Sequence, residues 1–164
     1  MKDIFNDPEF DRWLDGGVHD LDEDIGRLVY ALYKKKIVDT TGCYSCSGHV
    51  GRSTNSGHST RPDTHHVYDM GALRFRITEQ NPLGERFVHD VERKVAQHIF
   101  ARFAHPKKDS IYHSTYRLEL EMNDLVDFKP HPGLSGEIPI PLAEARFKEF
   151  QKFWESLEHI AQDY

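Results

Sequence analysis

Residues 45–66 read SCSGHVGRSTNSGHSTRPDTHH, and they hold most of the side chains in this chain that can do chemistry. Five serines, three threonines, three glycines and four of the eleven histidines fall in these 22 positions. Three chemistries fit them. The first is anion binding. Gly48, Gly51 and Gly57 allow backbone conformations that turn N–H groups into a concavity. The hydroxyls of Ser45 and Ser47, His49, and the guanidinium groups of Arg52 and Arg61 add donors suited to phosphate, with Arg74 further along the chain as a third cation. The second is metal binding. Cys43 and Cys46 form a C-x-x-C pair, and His49 and His65 would complete a four-ligand zinc set. The third is phosphodiester chemistry. His58-Ser59-Thr60 and His113-Ser114-Thr115 repeat one tripeptide. Two facing H-x-T strands would put one histidine as base and the other as acid, with Thr60 and Thr115 holding the phosphate.

So polar a stretch buries too little to order itself, and it exceeds the usual connection of about 4–6 residues. The expectation is a long Ser/Gly/His-rich loop over 43–66, held by a scaffold that supplies the order. His65-His66 also suit the start of a strand leading to Tyr68.

The scaffold reads as α+β: one antiparallel or mixed sheet packed by three main helices, in a single domain over 1–164 with an acidic N-terminal arm over 1–18. The first helix is expected from Leu21 to Lys36, with Asp20 and Glu23 as a capping box and Leu21, Ile25, Leu28, Val29 and Leu32 as its apolar stripe. Asn81-Pro82 caps and opens the second, whose stripe runs Phe87, Val88, Val91, Val95, Ile99 until His105-Pro106 stops it. The third begins near Pro141 and carries Phe150, Phe153, Trp154, Leu157, Ile160 and Ala161. Between them, Leu73, Phe75 and Ile77 alternate with Arg74 and Arg76. Tyr116, Leu118, Leu120 and Met122 alternate with Thr115, Arg117, Glu119 and Glu121. These read as half-buried strands, and if they pair, the arginines of one could face the glutamates of the other. Ile138 to Ile140 is a short apolar run that Pro139 restricts to a sheet edge.

The net charge is −6, and residues 1–25 carry nine acids against Lys2 and Arg12, so the rest is close to neutral. That favours a nucleotide or phosphorylated small molecule over RNA as the partner. No stretch approaches the roughly 20 apolar residues of a membrane span. Two cysteines only three apart fit a cytoplasmic, reducing setting.

The order helix, short strand, Ser-Cys-Ser-Gly, strand, helix, strand resembles the tRNA wybutosine-synthesising methyltransferase family. Residues Tyr44, Ser45, Cys46, Ser47, Gly48 and His49 stand at its Ser-Ser-Cys-Ser-Gly-Arg motif, with His49 at the arginine position. The same S-C-x-G-H pattern is similar to small uncharacterised bacterial and phage proteins. The family resemblance implies S-adenosylmethionine as cofactor, tRNA as substrate, and a ligand site at Ser45–His49. Residues alone leave three readings open: a nucleotide-like or phosphorylated ligand at 43–66, bound by a nucleotide- or nucleic-acid-modifying enzyme or by a binding module; a two-histidine phosphodiesterase; and a zinc-stabilised interaction module; the resemblance adds methyl transfer.

Overall fold

A computed structural model describes residues 8–9, 23–46, 49–52, 64–69, 71–78, 80–107, 115–130 and 136–164. A helix, α1 (Glu23–Lys34), forms where the apolar spacing predicts it, and Ile25, Leu28, Val29 and Leu32 are buried. The predicted cap at Asp20 lies outside the described residues. The helix stops at Lys34 because Lys36 takes the left-handed conformation, φ 52°. The Ile37 amide then donates to the Leu32 carbonyl and the Lys36 amide to the Tyr33 carbonyl, both at 3.0 Å. This is the double closure usually built on glycine. Its apolar clasp is Ile37 and Leu32, both fully buried.

The same turn anchors the next helix, α2 (Pro82–Val95). The Asn81 side chain accepts from the Gly84 amide at 3.2 Å, while its Nδ2 donates to the carbonyls of Lys36 at 3.0 Å and Ile37 at 3.1 Å. One asparagine therefore caps α2 and ties it to the exit of α1. The cap is where the sequence puts it, but the helix is about ten residues shorter than the Pro106 stop suggests. It ends at Val95, and a strand takes Ala101–Ala104. Ile99, expected in the core, is 76% exposed. Phe100 goes inside instead, against Phe150 at 5.4 Å and Phe153 at 6.0 Å between ring centroids. Both partners lie on α3 (Ile140–Gln162), so a contact distant in sequence overrides the local helical pattern.

The eight strands in chain order are β1 (Asp39–Cys46), β2 (His49–Arg52), β3 (Thr64–Asp69), β4 (Ala72–Arg76), β5 (Ala101–Ala104), β6 (Tyr116–Leu120), β7 (Lys129–Pro130) and β8 (Gly136–Pro139). They form two four-stranded sheets, β1-β4-β6-β5 and β2-β3-β8-β7, where a single sheet was expected. Every pairing is antiparallel, and with the three helices the architecture is α+β. A two-part ribbon joins the sheets. Residues 39–52 run out as β1 then β2, and 64–76 return as β3 then β4. β1 pairs with β4 and β2 with β3. Strands thus occupy both ends of the expected 43–66 loop, whose interior, 53–63, lies outside the described residues.

Pro139 does not place β8 at an edge, since β8 lies between β3 and β7. β7 reaches only Gly136 and Glu137, so at Ile138–Pro139 the β7 side makes no ladder and a missing N–H there costs nothing.

The first sheet buries one face. Leu73, Phe75, Leu118 and Leu120 have 1% exposure or less. Phe75 meets Phe87 of α2 at 5.5 Å. Gly71, leading into β4, lets Trp154 of α3 approach so closely that an added Cβ would lie 3.1 Å from its ring. The opposite face carries the polar residues of the alternation, and it positions the candidate site.

Candidate anion site

The ribbon distributes the residues singled out by the sequence. Tyr44 stands opposite Arg74, Ser45 opposite Leu73 and Cys46 opposite Ala72. Further out, His49 stands opposite Asp69, Gly51 opposite His66 and Arg52 opposite His65. Arg52 and His65 are therefore brought together in register, as are Tyr44 and Arg74, with Ser45 next in line. Thr115 is half-buried just before β6. Ser47, Gly48, His58, Thr60, Arg61 and His113 lie outside the described residues, and the two-histidine pairing with them.

Cys43 and Cys46 both lie in β1. Residues three apart in a strand are separated by roughly 10 Å, whereas a zinc knuckle needs a turn between its cysteines. His49 and His65 are at opposite ends of the β2–β3 ladder. The four are spread over β1, β2 and β3. Among the described residues no group of three or more His, Cys, Asp or Glu is placed to hold a metal ion.

The register of β4 on β6 corrects a further expectation. Arg74 does not face Glu119. It faces Arg117, and Glu119 faces Ala72. A shift of two residues would preserve both sheet faces and set Arg74 opposite Glu119, although Arg76 would then meet Arg117. Aromatic packing on the buried face decides against it. Phe75, Tyr116 and Phe103 lie side by side on β4, β6 and β5, with Phe75–Tyr116 at 5.3 Å and 12° and Phe103–Tyr116 at 5.7 Å and 14°. Aromatic pairs contribute about 0.5–1.5 kcal/mol each beyond area burial, against about 0.2–1 for a cross-strand ion pair. The aromatic face favours the observed register, in which the arginines opposite each other on the outer face are Arg74 and Arg117.

Residues paired directly across antiparallel strands share a face. One row across the first sheet is therefore Tyr44, Arg74, Arg117 and Ala104. It holds two arginines and no acid. The neighbouring rows differ. Arg102 is opposite Glu119 and also donates through Nε to Glu121 at 2.9 Å. Arg76 is opposite Asp39. Arg74 is exposed, and Arg117, on the central strand, is half-buried. Among the described residues no carboxylate bonds the Arg117 guanidinium. Sequence reasoning missed Arg117 as a site residue. Its alternation with Leu118 was visible, but the glutamate-matched register concerned Arg74 and Arg76, and Arg117 was given no partner and no role.

On α3, by contrast, one buried charge is answered within the chain. Arg146 on α3 is 5% exposed. It makes a two-pronged bond to Asp124 at 2.7 and 2.8 Å, reaches Glu149 at 2.9 Å and the Glu121 carbonyl at 2.9 Å, and lies over the Phe100 ring at 5.0 Å. Hydrogen bonding from Arg146 holds the Asp124 carboxyl below its usual range despite burial. His105 meets Glu92 at 2.6 Å, and Tyr164 donates to Asp90. Burial and that bond push the Tyr164 hydroxyl well above the ordinary tyrosine range.

No helix among the described residues is long and apolar enough to cross a membrane. Comparison with family models, with curated proteins and with solved structures returns no match, so the likeness at Tyr44–His49 rests on that motif.

Proposed function

We propose that this protein binds a phosphorylated, nucleotide-like ligand on the outer face of its first sheet, beside the strand that carries Tyr44 and Ser45. The observation that carries the reading is the Arg74–Arg117 pair. Arg117 is half-buried on the central strand with another arginine opposite it and no carboxylate bonded to its guanidinium among the described residues, and an anion over the row supplies that charge. Paired strands are about 4.5–5.5 Å apart at Cα, so both guanidiniums reach one phosphate. Thr115 is two residues before Arg117, which alternation assigns to the same face, and it adds a hydroxyl donor. Ser45 follows Tyr44 in β1, opposite Leu73, and Arg52 is in register with His65 in the second sheet.

Titration followed through the arginine Nε–Hε resonances tests the proposal. Adenosine mono- and triphosphate should shift the Arg74 and Arg117 signals, and adenosine should leave them in place. Signals that stay fixed with both nucleotides, or move equally with adenosine, refute it.

A further inference from the structure

The first sheet ends on β5, and among the described residues no strand pairs with its outer side. Two bonds fix which backbone groups point there. The Leu120 amide donates to the Gly71 carbonyl, towards β4, and the Glu121 amide donates to the Phe100 carbonyl, towards β5. Successive residues of a strand turn their N–H and C=O groups to opposite sides. Glu119 therefore also points to β5, and Arg102, opposite it, points back to β6. Ala104 does the same, whereas Ala101, Phe103 and His105 direct their groups away from the sheet. The Ala101 amide is taken by the His98 carbonyl at 3.2 Å. The Phe103 amide and carbonyl face the open side.

Folded proteins blunt such an edge with charge, proline or extreme shortness. β7, an edge of the second sheet, has all three, being the two residues Lys129-Pro130. β5 reads Ala-Arg-Phe-Ala, and its one charge is held by Glu121 at 2.9 Å. Ile99, two residues before it, is strongly exposed.

We infer that β5 is the pairing edge for a second copy of this chain, which joins two four-stranded sheets into one about a two-fold axis at Phe103. This inference stands independently of the phosphate-binding reading. A two-fold axis across antiparallel strands sets each residue opposite the one equally far beyond the axis. An axis at Arg102 would put that arginine opposite its own copy at roughly 4.5 Å, the spacing of a pair without mutual hydrogen bonds. An axis at Ala101 needs an amide already bonded to His98. An axis at Ala104 overlaps β5 with its copy at that residue alone. The axis at Phe103 has none of these faults. The two Phe103 residues exchange both backbone bonds, and each His105 amide meets the Ala101 carbonyl of the other copy. Each Arg102 stands opposite Ala104, with no cation facing it. The Phe103 rings extend the side-by-side file that Phe75 and Tyr116 begin. Continued outwards, the same register brings Lys107 opposite Ile99, and the lysine's aliphatic stem covers it.

Sedimentation equilibrium of the full chain up to about 1 mM, where weak interfaces associate, tests the inference. The chain should pass from monomer to dimer. Ala104→Lys sets a cation opposite Arg102 twice in each dimer and should weaken association by about tenfold, whereas Ala104→Glu should strengthen it by about tenfold at low salt. Amide hydrogen exchange of the unaltered chain gives a second measurement. The Phe103 and His105 amides should gain protection as concentration rises, while those of Arg102 and Ala104, directed at β6, stay protected throughout. A monomer at every concentration overturns the proposal and leaves the edge to a strand of another protein. A dimer whose Phe103 amide gains no protection overturns it too, as does one that both Ala104 variants leave unchanged.

Discussion

Two arginines in partly or wholly buried positions meet opposite treatment in this fold. At the junction of α3 with the 121–128 turn, Arg146 has two carboxylates, a carbonyl and a ring face around it. On the central strand of the first sheet, Arg117 stands opposite another arginine. The first arrangement is self-contained: every charge that is desolvated is matched inside the chain, and its consequence is stability. The second is left unmatched by its immediate row, and a sheet gains nothing structural from it. Buried charge matched internally holds a fold together. Half-buried charge set against its own kind is the feature on which the proposed phosphate site rests.

That contrast is sharpened most by breaking the matched site. Arg146→Ala leaves Asp124 and the Glu121 carbonyl without their partner and should lower the unfolding free energy by about 3–5 kcal/mol, read by urea denaturation, with no change in ligand affinity. Its pH dependence has a definite sign. Because the folded-state carboxyl of Asp124 is depressed, its contribution is fully present above the unfolded value near 4 and is lost as pH falls through the lower folded value. The difference between wild type and Arg146→Ala should therefore shrink below about pH 4. A difference that persists unchanged in strong acid would show that packing over Phe100, not the ion pair, carries the stability.

A smaller loss is expected where the scaffold closes on itself without charge. An added Cβ at Gly84 would lie 2.4 Å from Ile77 Cγ2 and 2.8 Å from the Ile37 carbonyl oxygen. The carbonyl belongs to the turn that Asn81 ties down, so it has little freedom to move. Gly84→Ala should cost about 1–3 kcal/mol in the same denaturation experiment and leave the arginine row untouched. If it also weakens nucleotide binding, the two regions are coupled, and the row is not a site placed upon an independent scaffold.

The smallest and most telling stability change lies at the row itself. Arg117→Gln removes like-charge repulsion and should leave stability equal or raise it by about 0.2–1 kcal/mol. A loss of that size or more would assign Arg117 a structural role.

How much of this was legible in the sequence depends on how local each determinant is. Asn81-Pro82 announced the start of α2 because a cap and a proline act on their own backbone. The stripe Ile25, Leu28, Val29, Leu32 and the alternations 73–77 and 115–122 are periodic over a few residues, and the elements formed there. The end of α2 was misplaced because the signal that stops it is Phe100 docking on α3, some fifty residues away. β2 could not be read from its polar composition and β3 was marked only by His65-His66 leading to Tyr68, because backbone pairing across the ribbon and to β8 makes them strands. The candidate site was half visible. Arg74 and the Tyr44–Ser45 neighbourhood were marked by residue type. Arg117 was not, since its significance comes from a register fixed on the other face of the sheet by Phe75, Tyr116 and Phe103. The two H-x-T tripeptides carry no such support among the described residues, where only Thr115 of the four catalytic candidates is found.

The central claim is that Arg117 is unmatched in the free protein and matched by a ligand phosphate. Thermal unfolding of wild type and Arg117→Gln, each with and without saturating adenosine monophosphate, tests it most directly. A ligand that binds the native state raises its melting temperature. The account predicts a crossing: Arg117→Gln melts at or above wild type when free, and wild type gains on adding nucleotide while the variant does not. Equal gains by both proteins, or a variant that melts lower than wild type in the absence of ligand, would contradict it.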